Sequence, residues 1–159
     1  APDFLLAESH SLALAKSLCA SYVVTGWENF SNVAGDTEVY ASKFGLKSMT
    51  YEAGQHDDPD CVLNAFNMIF KFLKVYGVLN FELEYFESKV LKLEQLILKS
   101  HDSQRFVSNL ENFHPVKQND LLIDGSKKVY APFDGYLVFP VDPKTIPIGG
   151  EICFIAKDI

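Results

Sequence analysis

Residues 50–60, Thr50-Tyr51-Glu52-Ala53-Gly54-Gln55-His56-Asp57-Asp58-Pro59-Asp60, join a strand-like run to a helix-like one and decide how the chain is read. Lys47 to Glu52 has the composition of a β-strand, Ala53-Gly54 is a small-residue turn, and Asp58-Pro59-Asp60 is a helix start. There Asp58 is the cap, Pro59 takes the first helical position, and Asp60 sits on the positive end of the dipole. Beyond it Val62, Leu63, Phe66, Ile69, Phe70, Leu73 and Tyr76 recur at three and four residues, which predicts a helix with one buried apolar face, closed by Gly77. The polar junction is thereby explained as punctuation, and Glu52 as a strand-end carboxylate that also suits catalysis.

Upstream, Ser9 to Ala20 predicts a short amphipathic helix capped by Ser9 or Ser11. Ser21 to Thr25 predicts a buried strand ended by Gly26, and Asp36 to Phe44 a helix ended by Gly45. Helix, strand, helix, strand, helix is the order of a parallel sheet covered by helices. Downstream, residues 81–100 contain helix formers, yet Leu91, Leu93, Gln95 and Ile97 alternate and favour a strand in the second half. After Ser100 the pairs Asn119-Asp120, Asp124-Gly125, Asp134-Gly135 and Gly149-Gly150 punctuate short apolar runs at 121–123, 128–131, 136–139 and 152–155. The expectation is an α/β part over residues 1–80, built as the C-terminal portion of a mixed or parallel sheet, followed by a small all-β domain of barrel-sandwich type over 81–159.

The bulk numbers bound the function. In 159 residues, 48% are hydrophobic and 22% charged, a globular balance, with no run near the roughly 20 apolar residues of a membrane helix. A net charge of −7, with Arg105 the single arginine among 14 basic residues, argues against a nucleic-acid surface. Cys19, Cys61 and Cys153 match neither a disulfide framework nor a CxxC metal knuckle, so a reducing, cytoplasmic setting is expected. The chain opens without Met and without a signal-peptide pattern, as a processed chain or a piece of something longer would.

A single carboxylate becomes sufficient for hydrolysis when it serves a metal-bound water, and catalytic zinc wants about three protein ligands. His10, His56, His101 and His114 belong to no HxxE, HxxxH or HxH pattern; cap and surface roles account for them, except that His56, four residues from Glu52, can line the same cleft. No GxSxG elbow, phosphate loop or CxxC is present, and Cys61 reads as a core thiol.

The run GDTEVYASKFGLKSMTYEAGQHDDPD, a following helix, and a β region carrying VYAPFDGYLVFP and IPIGGE together resemble the succinylglutamate desuccinylase/aspartoacylase family of the zinc carboxypeptidase superfamily. The resemblance covers nearly the whole chain. It implies that Glu52 is the general acid/base and that Tyr136 contacts substrate; His56 joins Tyr136 as a candidate substrate contact by its place four residues from Glu52. It also implies a Zn2+ cofactor whose HxxE and later His ligands have no counterpart here. The implied substrate is a small N-acyl amino acid, and the implied partner the remainder of the catalytic domain, without nucleic acid or membrane; homo-oligomers are compatible with it. On that reading the chain alone is inactive. A non-catalytic small-ligand or protein-binding module is the alternative. A lipoyl-type carrier is disfavoured, because the turn Asp142-Pro143-Lys144-Thr145 lacks the Met-Lys-Met signature.

Overall fold

The structure is a computed structural model and describes residues 3–30, 37–54 and 58–159. The chain divides into two compact units, residues 1–90 and 91–159. Residues 81–90, grouped by sequence with the β domain, therefore belong to the first unit. They do so because 81–88 form no helix or strand and the Lys89 N–H donates to the Ser21 carbonyl at 3.1 Å.

The first unit runs β1 (Phe4–Ala7), a 3-10 turn (Ser9–Ser11), α1 (Leu12–Ser17), β2 (Tyr22–Thr25), a second 3-10 turn (Trp27–Asn29), α2 (Thr37–Ser42), β3 (Met49–Glu52) and α3 (Cys61–Val75). Its strands lie in the order β3-β1-β2. β1 and β2 are parallel, with Phe4 opposite Tyr22, whereas β3 runs antiparallel to β1, with Phe4 opposite Glu52 and Ala7 opposite Met49. The sheet is thus mixed. The parallel sheet expected from the element order fails at β3: a strand–helix–strand order fixes adjacency better than direction, and the long connection from Gly26 to Ser48 lets the chain enter β1's far side from the opposite end.

β1 is unannounced by periodicity, since four apolar residues are too few to separate strand from buried helix. The expected helix from Ser9 is shortened to α1, and neither Ser9 nor Ser11 caps it; the Ser11 hydroxyl instead accepts the Ser48 N–H at 3.1 Å, tying the start of α1 to the approach to β3. Asp36, the first residue of the helix expected over 36–44, lies outside the described residues, and α2 is described from Thr37. Leu5, Ala7, Ala15, Leu18, Ala20, Val23 and Met68 form the core under α1, with Met49 and Tyr51 against it.

α3 starts two residues later than the sequence predicts: Asp60 rather than Asp58 stands at the N-cap, without a side-chain capping bond, and Asp58-Pro59-Asp60 form the turn before the helix. The Asp58 carboxylate accepts the Asp60 N–H at 3.0 Å and its carbonyl accepts the Cys61 N–H at 3.2 Å, one turn ahead of the helix body. Its orientation is the reverse of expectation. Met68 is the buried residue, at 7% exposure, while Val62, Leu63, Phe66 and Ile69 are all more than half exposed and Phe70 is 38% exposed. The packed stripe is Cys61, Asn64, Ala65, Met68 and Lys71; the large apolar side chains face outward. The spacing of apolar residues along a helix says which of them share a face, not what covers it.

In the second unit, the sheets β4-β10-β9-β6 and β5-β7-β8 are antiparallel throughout, built from β4 (Lys89–Leu98, which enters from the first unit), β5 (Arg105–Phe106), β6 (Pro115–Val116), β7 (Leu121–Asp124), β8 (Val129–Tyr130), β9 (Gly135–Val138) and β10 (Glu151–Asp158). The four apolar runs punctuated by Gly and Asp become β7 to β10; the two-residue strands β5 and β6 carry no pattern long enough to read. Ile97, Val116, Leu122, Ile123, Leu137, Ile152 and Ile155 from both sheets share one core. Gly135 is required where it stands, because a Cβ there would collide with the Ala156 carbonyl of the neighbouring β10. Lys99 is buried and donates to the Ile146 carbonyl at 2.8 Å and to Asp102 at 2.9 Å, so its charge is compensated. No helix among the described residues is long and apolar enough to cross a membrane.

Candidate functional site

Glu52 is the last residue of β3 and is exposed. Strand alternation sends its side chain to the face opposite Tyr51 and shared with Thr50, whose hydroxyl donates to the Glu38 carboxylate of α2. Among the described residues the Glu52 carboxylate has no hydrogen-bond or ion-pair partner. On the other face the Tyr51 hydroxyl donates to Asp3 at 2.7 Å; burial first, and then that bond and its negative charge, push the phenol above its ordinary pKa.

Two features around Glu52 differ from the sequence-based expectation. Because β3 is antiparallel, the carboxyl end of Glu52's own strand lies beside the amino ends of β1 and β2, so the rule that ligands gather at the carboxyl ends of parallel strands does not select this position. The room expected over Ala53-Gly54 is also partly filled. Gly54, at φ 129°, turns the chain, and a Cβ there would stand 3.3 Å from the Asp58 carboxylate. Asn64 of α3 donates to the Ala53 carbonyl at 3.1 Å, so the turn that follows Glu52 is fixed to the helix start. His56 lies outside the described residues.

The carboxyl ends of β1 and β2 carry a polar cluster that sequence reasoning missed, although its signal is visible in Glu8-Ser9-His10 and Trp27-Glu28, each directly after an apolar strand. His10 Nδ1 is 3.3 Å from Glu8, its Nε2 is 3.0 Å from the Leu46 carbonyl, and Ser9 donates to Glu28 at 3.1 Å. These contacts pin the loop before β3, a structural use of His10. His101 accepts the Ser103 N–H at 3.2 Å in its turn, again a local role, and His114 is exposed. Among the described residues no three His, Cys, Asp or Glu side chains gather as metal ligands, so the described residues by themselves do not fit a zinc ion.

In the second unit Tyr136 of β9 lines a cleft of about 360 Å³ with Pro115, Val116, Lys117, Gly135 and Lys157. Asp134 and Asp158 line it too; the Asp134 carboxylate accepts the Gln118 N–H at 2.7 Å and lies 3.4 Å from the Lys117 ammonium, and the backbone bond and then the cation hold its pKa below the ordinary value. Cys153 is fully buried in the core, and burial pushes its thiol up to about 12; Cys61, at the first turn of α3, is half-buried and is not the core thiol expected.

No protein-family model and no curated protein matches the chain. Solved structures do match its fold. The succinylglutamate desuccinylase/aspartoacylase of Rhodobacter sphaeroides superposes with TM-score 0.77 at 13% identity, over 99% of this chain and 54% of its own. The succinylglutamate desuccinylase of Vibrio parahaemolyticus gives 0.73 at 18%, over 99% and 49%. The product-bound ectoine utilization protein EutE (DoeB) of Ruegeria pomeroyi gives 0.72 at 18%, over 98% and 53%. The likeness is one of fold, and the chain spans about half the length of these structures.

Proposed function

We propose that this chain is part of a hydrolase that removes the acyl group from an N-acyl amino acid, with Glu52 as general acid/base. The observation that supports this most strongly is the fold shared along nearly the whole chain with desuccinylase and acylase structures; in this chain an exposed Glu52, without a side-chain partner among the described residues, ends β3. In the reaction, water oxygen bonds to the amide carbonyl carbon, the C–N bond breaks, and Glu52 takes a proton from the water and passes it to the departing nitrogen. Tyr136 and His56 are read as substrate contacts, and the sheets of residues 91–159 as a barrel-sandwich.

Zinc dependence belongs to this proposal, with the ligands in the remainder of the catalytic domain, since the side chains described here do not gather three. The chain alone is then inactive. Release of free amino acid from N-succinylglutamate and N-acetylaspartate is the test, run on this chain and on the assembled catalytic unit, with elemental analysis of both. Turnover and about one zinc per assembled unit, with neither in the isolated chain, supports the reading. No turnover in the assembled unit would favour a non-catalytic binding module, for which the Tyr136 cleft is the structural argument.

A further inference from the structure

The Glu52 carboxylate has no side-chain partner among the described residues, so its place is set by its own rotamer and by the backbone that carries it. Upstream that backbone is held by the ladder, where Tyr51 lies opposite Leu5 and Glu52 opposite Phe4 of β1. Downstream the ladder stops. Ala53 and Gly54 leave the sheet as a turn, with Gly54 at φ 129°, a conformation that a side chain would strain. Such a turn can rotate about its own dihedrals unless a group outside it holds one of the peptide units.

Asn64 is that group. It is the fourth residue of α3, where its N–H donates to the Asp60 carbonyl at 2.8 Å while its side-chain Nδ2 donates to the Ala53 carbonyl at 3.1 Å. Asparagine is a poor choice for a helix interior, because its amide competes for backbone groups. Here that amide is committed to a carbonyl outside the helix, one residue beyond Glu52. Asp58, fixed by the Asp60 N–H at 3.0 Å, stands 3.3 Å from where a Cβ on Gly54 would be and leaves the turn little room to shift. About two turns further along α3 the Lys71 ammonium holds another carbonyl, that of Cys19, at 2.8 Å. The two anchors are alike in kind, and only the Asn64 one adjoins Glu52.

We infer that Asn64 is a positioning residue: by holding the Ala53 carbonyl it fixes the turn that leaves β3, and with it the place and direction of the Glu52 carboxylate. The inference deepens the proposed function and rests on that reading for what Glu52 does. A carboxylate that takes a proton from water and passes it to a departing nitrogen must come within about 2.6–3.2 Å of each. A displacement of about 1 Å at a reacting group can lower the rate by roughly 100-fold. An exposed carboxylate at a strand end, just before a glycine, meets that demand only when the turn behind it is held.

The test is turnover of N-succinylglutamate and N-acetylaspartate by the assembled catalytic unit, with circular dichroism and melting temperature beside each rate. The variants are Asn64→Ala, Asn64→Asp, which keeps the size and removes the amide donor, Lys71→Met as control, Glu52→Gln, and the double variant Asn64→Ala with Glu52→Gln. Both Asn64 variants should lower kcat roughly 10- to 100-fold and leave KM within about twofold, whereas Lys71→Met should leave both within about twofold. On the Glu52→Gln background Asn64→Ala should make no further difference, because no carboxylate is left to place. A residue that only supported the fold would lower both backgrounds alike. A kcat for either Asn64 variant within about twofold of the unsubstituted protein, an equal loss on the Glu52→Gln background, or a loss in Lys71→Met as large as in Asn64→Ala overturns the inference. A silent Asn64→Ala beside an inactivating Glu52→Gln sinks the positioning role alone, and a silent Glu52→Gln sinks the proposed function and this inference with it.

Discussion

Met68→Ala and Ile69→Ala form a pair of adjacent substitutions on opposite sides of α3, and they read its orientation directly. Met68 is 7% exposed and belongs to the core with Leu5, Ala7, Leu18 and Val23. Truncating a methionine so placed removes its transfer energy and leaves a cavity, about 3 kcal/mol within a range of ~2–5. Ile69 is 58% exposed. Losing its three outer carbons would cost ~2.4 kcal/mol if fully buried, at ~0.8 kcal/mol per carbon, hence about 1 kcal/mol at this burial. The better helix propensity of Ala returns ~0.4 kcal/mol, leaving about 0.6 kcal/mol. Urea denaturation of the isolated chain followed by the fluorescence of Trp27, its single tryptophan and a residue of the same unit, measures both. With a slope of ~1.5 kcal/mol/M the midpoints should differ by roughly 1.5 M. Equal shifts, or a larger one for Ile69→Ala, would mean that the apolar stripe faces the core.

Three further outcomes are expected. Gly135→Ala should destabilise the second unit by about 2 kcal/mol or more, because the new Cβ meets the Ala156 carbonyl and β9 and β10 must part; thermal melts check it, and a neutral result would contradict the close approach of the strands. Asp134 has a lowered pKa in the fold, so its contribution is present above the unfolded-state value and is lost as pH falls through the folded one. Asp134→Asn should therefore lower stability at pH 7 and make no difference in acid well below the usual carboxylate range, and an offset that persists there would refute the hydrogen-bonded carboxylate. With its thiol raised to about 12, Cys153 is thiolate in only about one part in ten thousand at pH 8, and it is buried as well. Thiol reagents should label Cys61 first, and rapid native labelling of Cys153 would show an open core.

What could be read in the sequence was what local chemistry fixes. β2 is a β-branched run ended by Gly26, α3 starts just after its Asp-Pro-Asp signal, the strand in the second half of 81–100 follows from alternation, and the turns of the β unit are written in Asn, Asp and Gly. What escaped depends on partners. β1 is four apolar residues whose conformation is decided by pairing with β2 and β3. The direction of β3 is decided by a long connection, and the outward turn of α3 by Met68 and the small stripe of Cys61, Asn64 and Ala65 winning the contact with the sheet. The candidate site divides likewise. Glu52 was legible as a strand-end carboxylate before a glycine turn, whereas the Asp58 side chain over that turn and the Asn64 anchor beneath it are tertiary contacts with no signature in spacing.

The central claim is that Glu52 carries the proton in amide hydrolysis. The measurement that tests it most directly is turnover of an N-acyl amino acid by the assembled catalytic unit carrying Glu52→Gln, beside its zinc content and melting temperature. Because the Glu52 side chain has no partner among the described residues, the substitution should leave folding and metal content unchanged and lower turnover by a factor of ~10² to 10⁴. Turnover within a fewfold of the unsubstituted protein would contradict the assignment.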